Sequence, residues 1–205
     1  MRAAARLLDL ESRALPPILD ALDPAQFQLP TVCDLWSVRD VIAHCAAAMT
    51  RLAAGTTSGY TAADNQVDVD TRREWPIERV IAELRDAYPA AVDAVELANG
   101  SADGVGLGEW VHGGDLRDAL GVDGAYASVG VDLAVGLLSE RSRRLGVPGV
   151  HATVDGIDIP FGEGPPSGWL RTDTSTFVRL CAGRKPDPNA YTLSGVEPGA
   201  LVLFS

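Results

Sequence analysis

Apolar residues recur at helical spacing through roughly the first three quarters of the chain and then give way to alternation. Leu7, Leu8, Leu15, Ile18, Leu19 and Leu22 fall on one broad face of a helix over 3–22, which Pro16-Pro17 must kink or divide. Val41, Ile42, Cys45 and Met49 define a second helix that runs to residue 54, and Ser37-Val-Arg-Asp40 supplies its capping pattern. Residues 55–74, rich in Gly, Thr, Asp and Asn, read as an irregular connection long enough to line a site. Pro76 suits the first position of a third helix, because its missing N–H would be unpaired there anyway. That helix carries Ile77, Val80, Ile81, Leu84, Tyr88 and Val92 to residue 97. A Gly-rich break at 99–106 precedes a fourth helix that Gly121 terminates. A fifth, over 129–145, carries Leu133, Leu137, Leu138 and Leu145 and ends at Gly146, with Pro148 beyond.

Beyond Pro148 the period changes. Val150–Val154 and Ile157–Phe161 flank Asp155-Gly156, a two-residue hairpin signal. Trp169–Thr172, Tyr191–Ser194 and Leu201–Phe204 read as further strands, and Thr174–Gly183 as a short helix capped by Asp173 or Thr174. The pattern predicts an α+β chain: a helical bundle over 1–148, then a small α+β domain over 149–205.

Composition narrows the function. The net charge of −11, from 28 acidic and 17 basic residues, argues against a nucleic-acid or anionic-membrane partner, since both need a basic face. No apolar run approaches the ~18 residues that span a bilayer. The opening MRAAARLLDLESR interrupts its apolar residues with charges, unlike a signal peptide, so a soluble cytoplasmic protein is expected. Every cation but Lys185 is arginine, a usage typical of GC-rich genomes. Cys33, Cys45 and Cys181 are odd in number and irregular in spacing, which fits neither a disulfide framework nor a C-x-x-C metal knuckle. Cys45 and Cys181 read as small buried hydrophobes.

The chemistry concentrates on two helices. His44 follows Asp40 by four residues and Trp36 by eight; His112 stands midway in Glu109-Trp-Val-His-Gly-Gly-Asp115. Residues three or four apart share a helix face, so Asp40 can reach His44, and Glu109 or Asp115 can reach His112. Bundles build metal sites from inward side chains on facing helices, and two imidazoles with one carboxylate form a catalytic zinc set. A histidine in an apolar helix is more often a hydrogen-bonded core residue than a ligand, and the residues alone also fit that reading, with Trp36 and Trp110 as packing anchors. Asp40 reads as an orienter of His44 or as a charge at the helix N-terminus. Asn65, in the long connection, is within reach of a ligand.

The segment Cys33-Asp-Leu-Trp36-Ser-Val-Arg-Asp40-Val-Ile-Ala-His44 resembles the first signature of the mycothiol-dependent maleylpyruvate isomerase family, which belongs to the DinB-like helical bundles. Glu109–Asp115 with Leu116-Arg-Asp-Ala-Leu-Gly121 resembles the second signature, and Phe177–Arg184 is similar to the family's sterol-carrier-like C-terminal domain. The resemblance implies a four-helix bundle holding one divalent metal, usually zinc, through one histidine and a Glu-x-x-x-His pair. His44 and His112 take the histidine positions. Gly108 stands where the glutamate belongs; Glu109 is one residue out of step, and Asp115 competes as third ligand. The resemblance also implies mycothiol, or a similar low-molecular-weight thiol, adding to a small electrophile in isomerisation or transfer. Metal ligands are thus expected at His44, Glu109 and His112, catalytic groups at Asp40, Asp115 and Arg117, and cofactor contacts at Trp36, Arg39 and Asn65. Arg39, Arg72, Arg73 and Arg117 are the cations available for a carboxylate substrate. The alternative is a binding module that kept the bundle and lost the metal.

Overall fold

The computed structural model describes residues 1–33, 35–57 and 61–204. It divides into two compact units, Met1–Gly130 and Val131–Ser205. The helical pattern alone had put that junction at 148.

In the first unit the proline pair divides the opening helix. Helix α1 (Ala3–Ala14) ends before Pro16, which begins the single turn of α2 (Pro16–Asp20). Helix α3 (Val38–Ala53) starts as its sequence predicts. The Ser37 N–H donates to Asp40 Oδ2 at 2.9 Å, and the Asp40 N–H donates back to Ser37 Oγ at 3.3 Å. The expected irregular connection is corrected: it contains helix α4 (Ala62–Arg72), while residues 58–60 lie outside the described chain. Thr61-Ala-Ala-Asp64 is a second capping box, with the Thr61 N–H donating to Asp64 Oδ2 at 2.7 Å. The helix escaped periodicity because polar residues hold it in place. Asp68 and Arg72 are buried beside Val69; Asp68 accepts from Arg51 of α3, and Arg72 donates to Glu83 at 2.6 Å.

Helix α5 (Ile77–Leu97) begins one residue after Pro76 and carries Pro89 within it. Helix α6 (Asp103–Ala119) starts inside the Gly-rich stretch expected to break the chain. Helices α1, α3, α5 and α6 pack on one another as the bundle. Leu7, Leu8, Ile42, Met49, Leu84, Tyr88, Leu107 and Trp110 are fully buried in it, each side chain contributing about 1.5–3 kcal/mol through loss of apolar surface.

In the second unit, α7 (Val131–Arg144) and α8 (Thr174–Cys181) accompany a sheet of β1 (Pro148–Val154), β2 (Ile157–Phe161), β3 (Glu163–Thr172) and β4 (Tyr191–Ser194). The sheet order is β2-β1-β3-β4; β1 pairs antiparallel with β2 and parallel with β3. Asp155 and Gly156 both take positive φ, 49° and 81°, as a two-residue primed turn requires. Asp173 caps α8 through the Thr176 N–H at 2.9 Å. The strand expected over Leu201–Phe204 is not formed. Leu201 ends a 3-10 turn, and the Leu203 N–H donates to Cys181 O at 2.8 Å, outside the sheet. Leu201 and Leu203 are buried, so the alternation that suggested a strand comes from a segment packed on a helix end. Among the described residues, no helix is long and apolar enough to cross a membrane.

Candidate metal centre

The middle of α3 and the second half of α6 bring the two bundle histidines together. The His44 and His112 ring centroids are 4.9 Å apart, edge to face. Trp36 packs against His44, at 5.0 Å between centroids, and its Nε1–H donates to Gln66 Oε1 of α4 at 3.0 Å. The helix that the sequence concealed therefore braces the aromatic wall of the site.

Asp115, one turn after His112, is the hub. Its Oδ2 lies 3.0 Å from His112 Nδ1 and accepts from the Cys33 thiol at 3.1 Å; its Oδ1 accepts from the Tyr126 hydroxyl at 2.6 Å. The Cys33 sulfur also stands 3.8 Å from His112 Nδ1. One ligand atom each from Cys33, His112 and Asp115 thus falls within 4.8 Å of the others. Sulfur, nitrogen and carboxylate oxygen at such range form a donor set suited to a divalent transition ion. Burial opposes a charge on His112, but hydrogen bonds and charge from Asp115 and Cys33 outweigh it and push the imidazolium up to about 10.

The model of the mycothiol maleylpyruvate isomerase N-terminal domain matches residues 8–119. The chain belongs to that family. Two solved structures, the mycothiol-dependent maleylpyruvate isomerase and a histidine-to-alanine mutant of it, share the fold. Each gives a TM-score of 0.59 and covers 97% of this chain and 95% of its own. Identities are 16% and 15%, low enough that the likeness speaks for the fold alone. No curated protein gives a significant match.

In this member of the mycothiol maleylpyruvate isomerase family, the other site residues expected from sequence disperse. Glu109 is buried on α6, turned about 100° from position 108 and close enough to His112 to feel its charge. It accepts from the Tyr88 hydroxyl at 2.7 Å, and burial raises its carboxyl above the usual range. Asp40 is engaged in capping α3 rather than in turning His44. Arg39 donates to Arg73 O at 3.0 Å and to Trp75 O, closing the end of α4. Arg117 is buried and ion-paired with Glu11 of α1 at 2.8 Å. Among the described residues, Asn65 of α4 joins none of the hydrogen bonds of the Cys33–His112–Asp115 cluster.

The two glycines of the Glu109–Asp115 segment have distinct reasons. A Cβ on Gly114 would stand 2.4 Å from Tyr126 Cδ1, so its absence lets that ring lie against α6 and reach Asp115. A Cβ on Gly113 would stand 1.9 Å from Glu11 Oε1, so the bare backbone admits the Glu11–Arg117 pair. Two contributors to the site escaped sequence reasoning. Cys33 lay inside the quoted motif but had no metal-like spacing to another cysteine. Tyr126 lies in a turn region with no periodic signal.

Proposed function

We propose that this chain is a metal-dependent enzyme that uses mycothiol, or a similar low-molecular-weight thiol, to attack a small electrophile in isomerisation or thiol transfer. The observation that carries this reading is the convergence of Cys33, His112 and Asp115 within 4.8 Å, beside His44. His112 and Asp115 would hold the ion from α6, with His44 facing them from α3. When bound, a divalent metal such as zinc supplies a Lewis-acid position at which a thiol ionises near neutral pH.

The rest falls to the chain's own side chains. Tyr126 fixes the Asp115 carboxylate through Oδ1. Trp36 and His44 form an aromatic wall against which an electrophile can lie. The four arginines considered for a carboxylate substrate are all engaged within the chain. Arg39 and Arg117 are held as described, Arg72 pairs with Glu83 and Arg73 with Asp70. That favours recognition of the electrophilic carbon over recognition of a second carboxylate.

Metal analysis of purified protein, followed by a thiol-consumption assay with mycothiol and an activated alkene, tests the reading. About one equivalent of metal and metal-dependent thiol addition are expected. Failure to take up zinc, nickel or manganese would favour the second reading, a non-catalytic binding module. Gly108 in the glutamate position and the inward turn of Glu109 are the features that speak for it.

A further inference from the structure

We propose that Cys33 is itself a metal ligand, making the centre of this chain a thiolate–imidazole–carboxylate site for a thiophilic divalent ion. The inference rests on the metal-dependent reading above and adds a ligand that the family resemblance does not supply.

Three observations support it. The first is distance: the Cys33 sulfur lies 3.1 Å from Asp115 Oδ2 and 3.8 Å from His112 Nδ1, near enough for one ion to bind all three with small side-chain shifts. The second is the way the sulfur is held. Thr31 Oγ1 accepts from the Cys33 N–H at 3.1 Å and donates to Trp36 O at 2.9 Å, and the Trp36 N–H returns to Cys33 O at 2.9 Å. A bridge between Pro30 and Ser37 closes the loop, and Leu35 accepts a positive φ of 72° within it. A non-glycine residue so placed has to be stabilised by its surroundings. The loop thereby fixes the Cys33 backbone, from which the sulfur reaches Asp115 of α6.

The third observation is charge. Glu109, the carboxylate expected from sequence, uses Oε1 to accept the Tyr88 hydroxyl at 2.7 Å. Asp115 alone would leave a buried divalent ion with one unbalanced charge, which is unfavourable away from water. A thiolate beside a carboxylate neutralises it. Thiolate donors select zinc and its chemical relatives over magnesium and calcium, so the donor set also narrows the metal.

Cobalt(II), which occupies zinc sites and reports its ligands by colour, is the probe. Titrated into the full chain, free of added thiols, it should bind at about one equivalent with an intense sulfur-to-cobalt charge-transfer band in the near ultraviolet. Cys33→Ser should abolish the band and weaken zinc binding at least about tenfold, while Cys45→Ala should keep both. Stoichiometric cobalt without the band, or a band that survives Cys33→Ser or disappears in Cys45→Ala, overturns the assignment and leaves the metal-dependent reading standing. Failure to bind cobalt or zinc at all overturns both. If Cys33→Ser does not fold, X-ray absorption at the zinc edge of the unsubstituted protein decides: one sulfur in the coordination shell supports the assignment, and none overturns it.

Discussion

The Tyr126 hydroxyl donates to Asp115 Oδ1 at 2.6 Å, and it does so only because Gly114 has no side chain between them. The other oxygen of that carboxylate gathers Cys33 and His112. Tyr126 reaches the site through Asp115, so it acts by orientation. Tyr126→Phe is expected to lower metal affinity by about 10–100-fold and stability by about 1–3 kcal/mol, since a buried acceptor loses its donor. Metal titration beside urea unfolding checks both. An unchanged affinity would assign Tyr126 to packing alone.

Gly113→Ala places a methyl 1.9 Å from Glu11 Oε1, so the buried Glu11 side chain must shift against Arg117. Alanine is the better helix former by about 1 kcal/mol, yet overpacking and disruption of a buried ion pair should outweigh that gain. A net loss of about 2–4 kcal/mol is expected. A raised midpoint of thermal unfolding would contradict the tight α1–α6 contact.

Glu109→Gln separates the two carboxylates of α6. The side chain accepts from Tyr88, and burial favours its neutral form, so the amide should replace it with little loss of stability and unchanged metal stoichiometry. Asp115→Asn, by contrast, should reduce metal affinity by a hundredfold or so, judged from losing a charged ligand. Equal effects of the two substitutions would return Glu109 to the metal.

Glu11 gives the fold a pH dependence of predictable sign. Burial outweighs its pairing with Arg117 and pushes the carboxyl from 4.5 up to about 7. Between those values the folded chain binds the proton more tightly than the unfolded chain, so stability falls as pH rises, and it levels off above the upper value. The contribution is at most about 3 kcal/mol. The stability difference between the wild type and Glu11→Gln, measured by urea unfolding at about pH 5 and about pH 7.5, should shift against the wild type at the higher pH. A difference independent of pH would mean that the ion pair, not burial, sets the carboxyl.

Much of this fold was legible because its helices and hairpin announce themselves by period and by capping. Ser37 with Asp40, and Asp155 with Gly156, do locally what their types dictate. Helix α4 was not legible by period, because it is held by Asp68 and Arg72, polar residues whose burial follows from partners on α3 and α5. The candidate site divides in the same way. His44 and His112 stood out as rare residues on helix faces. The third member depended on rotation about α6: Asp115 faces His112, while Glu109 faces Tyr88. Nothing local to Cys33 says that its loop lands on a helix 82 residues downstream.

That distance along the chain has a consequence for biosynthesis. The cluster needs Cys33, His112 and Asp115, and its support needs Tyr126, so none of it exists until more than half of the polypeptide has left the ribosome. A metal that binds only the closed bundle then stabilises the folded chain and not its precursors. The ion would act as a late inspector, retained by chains whose distant segments have met and passing by those that have not.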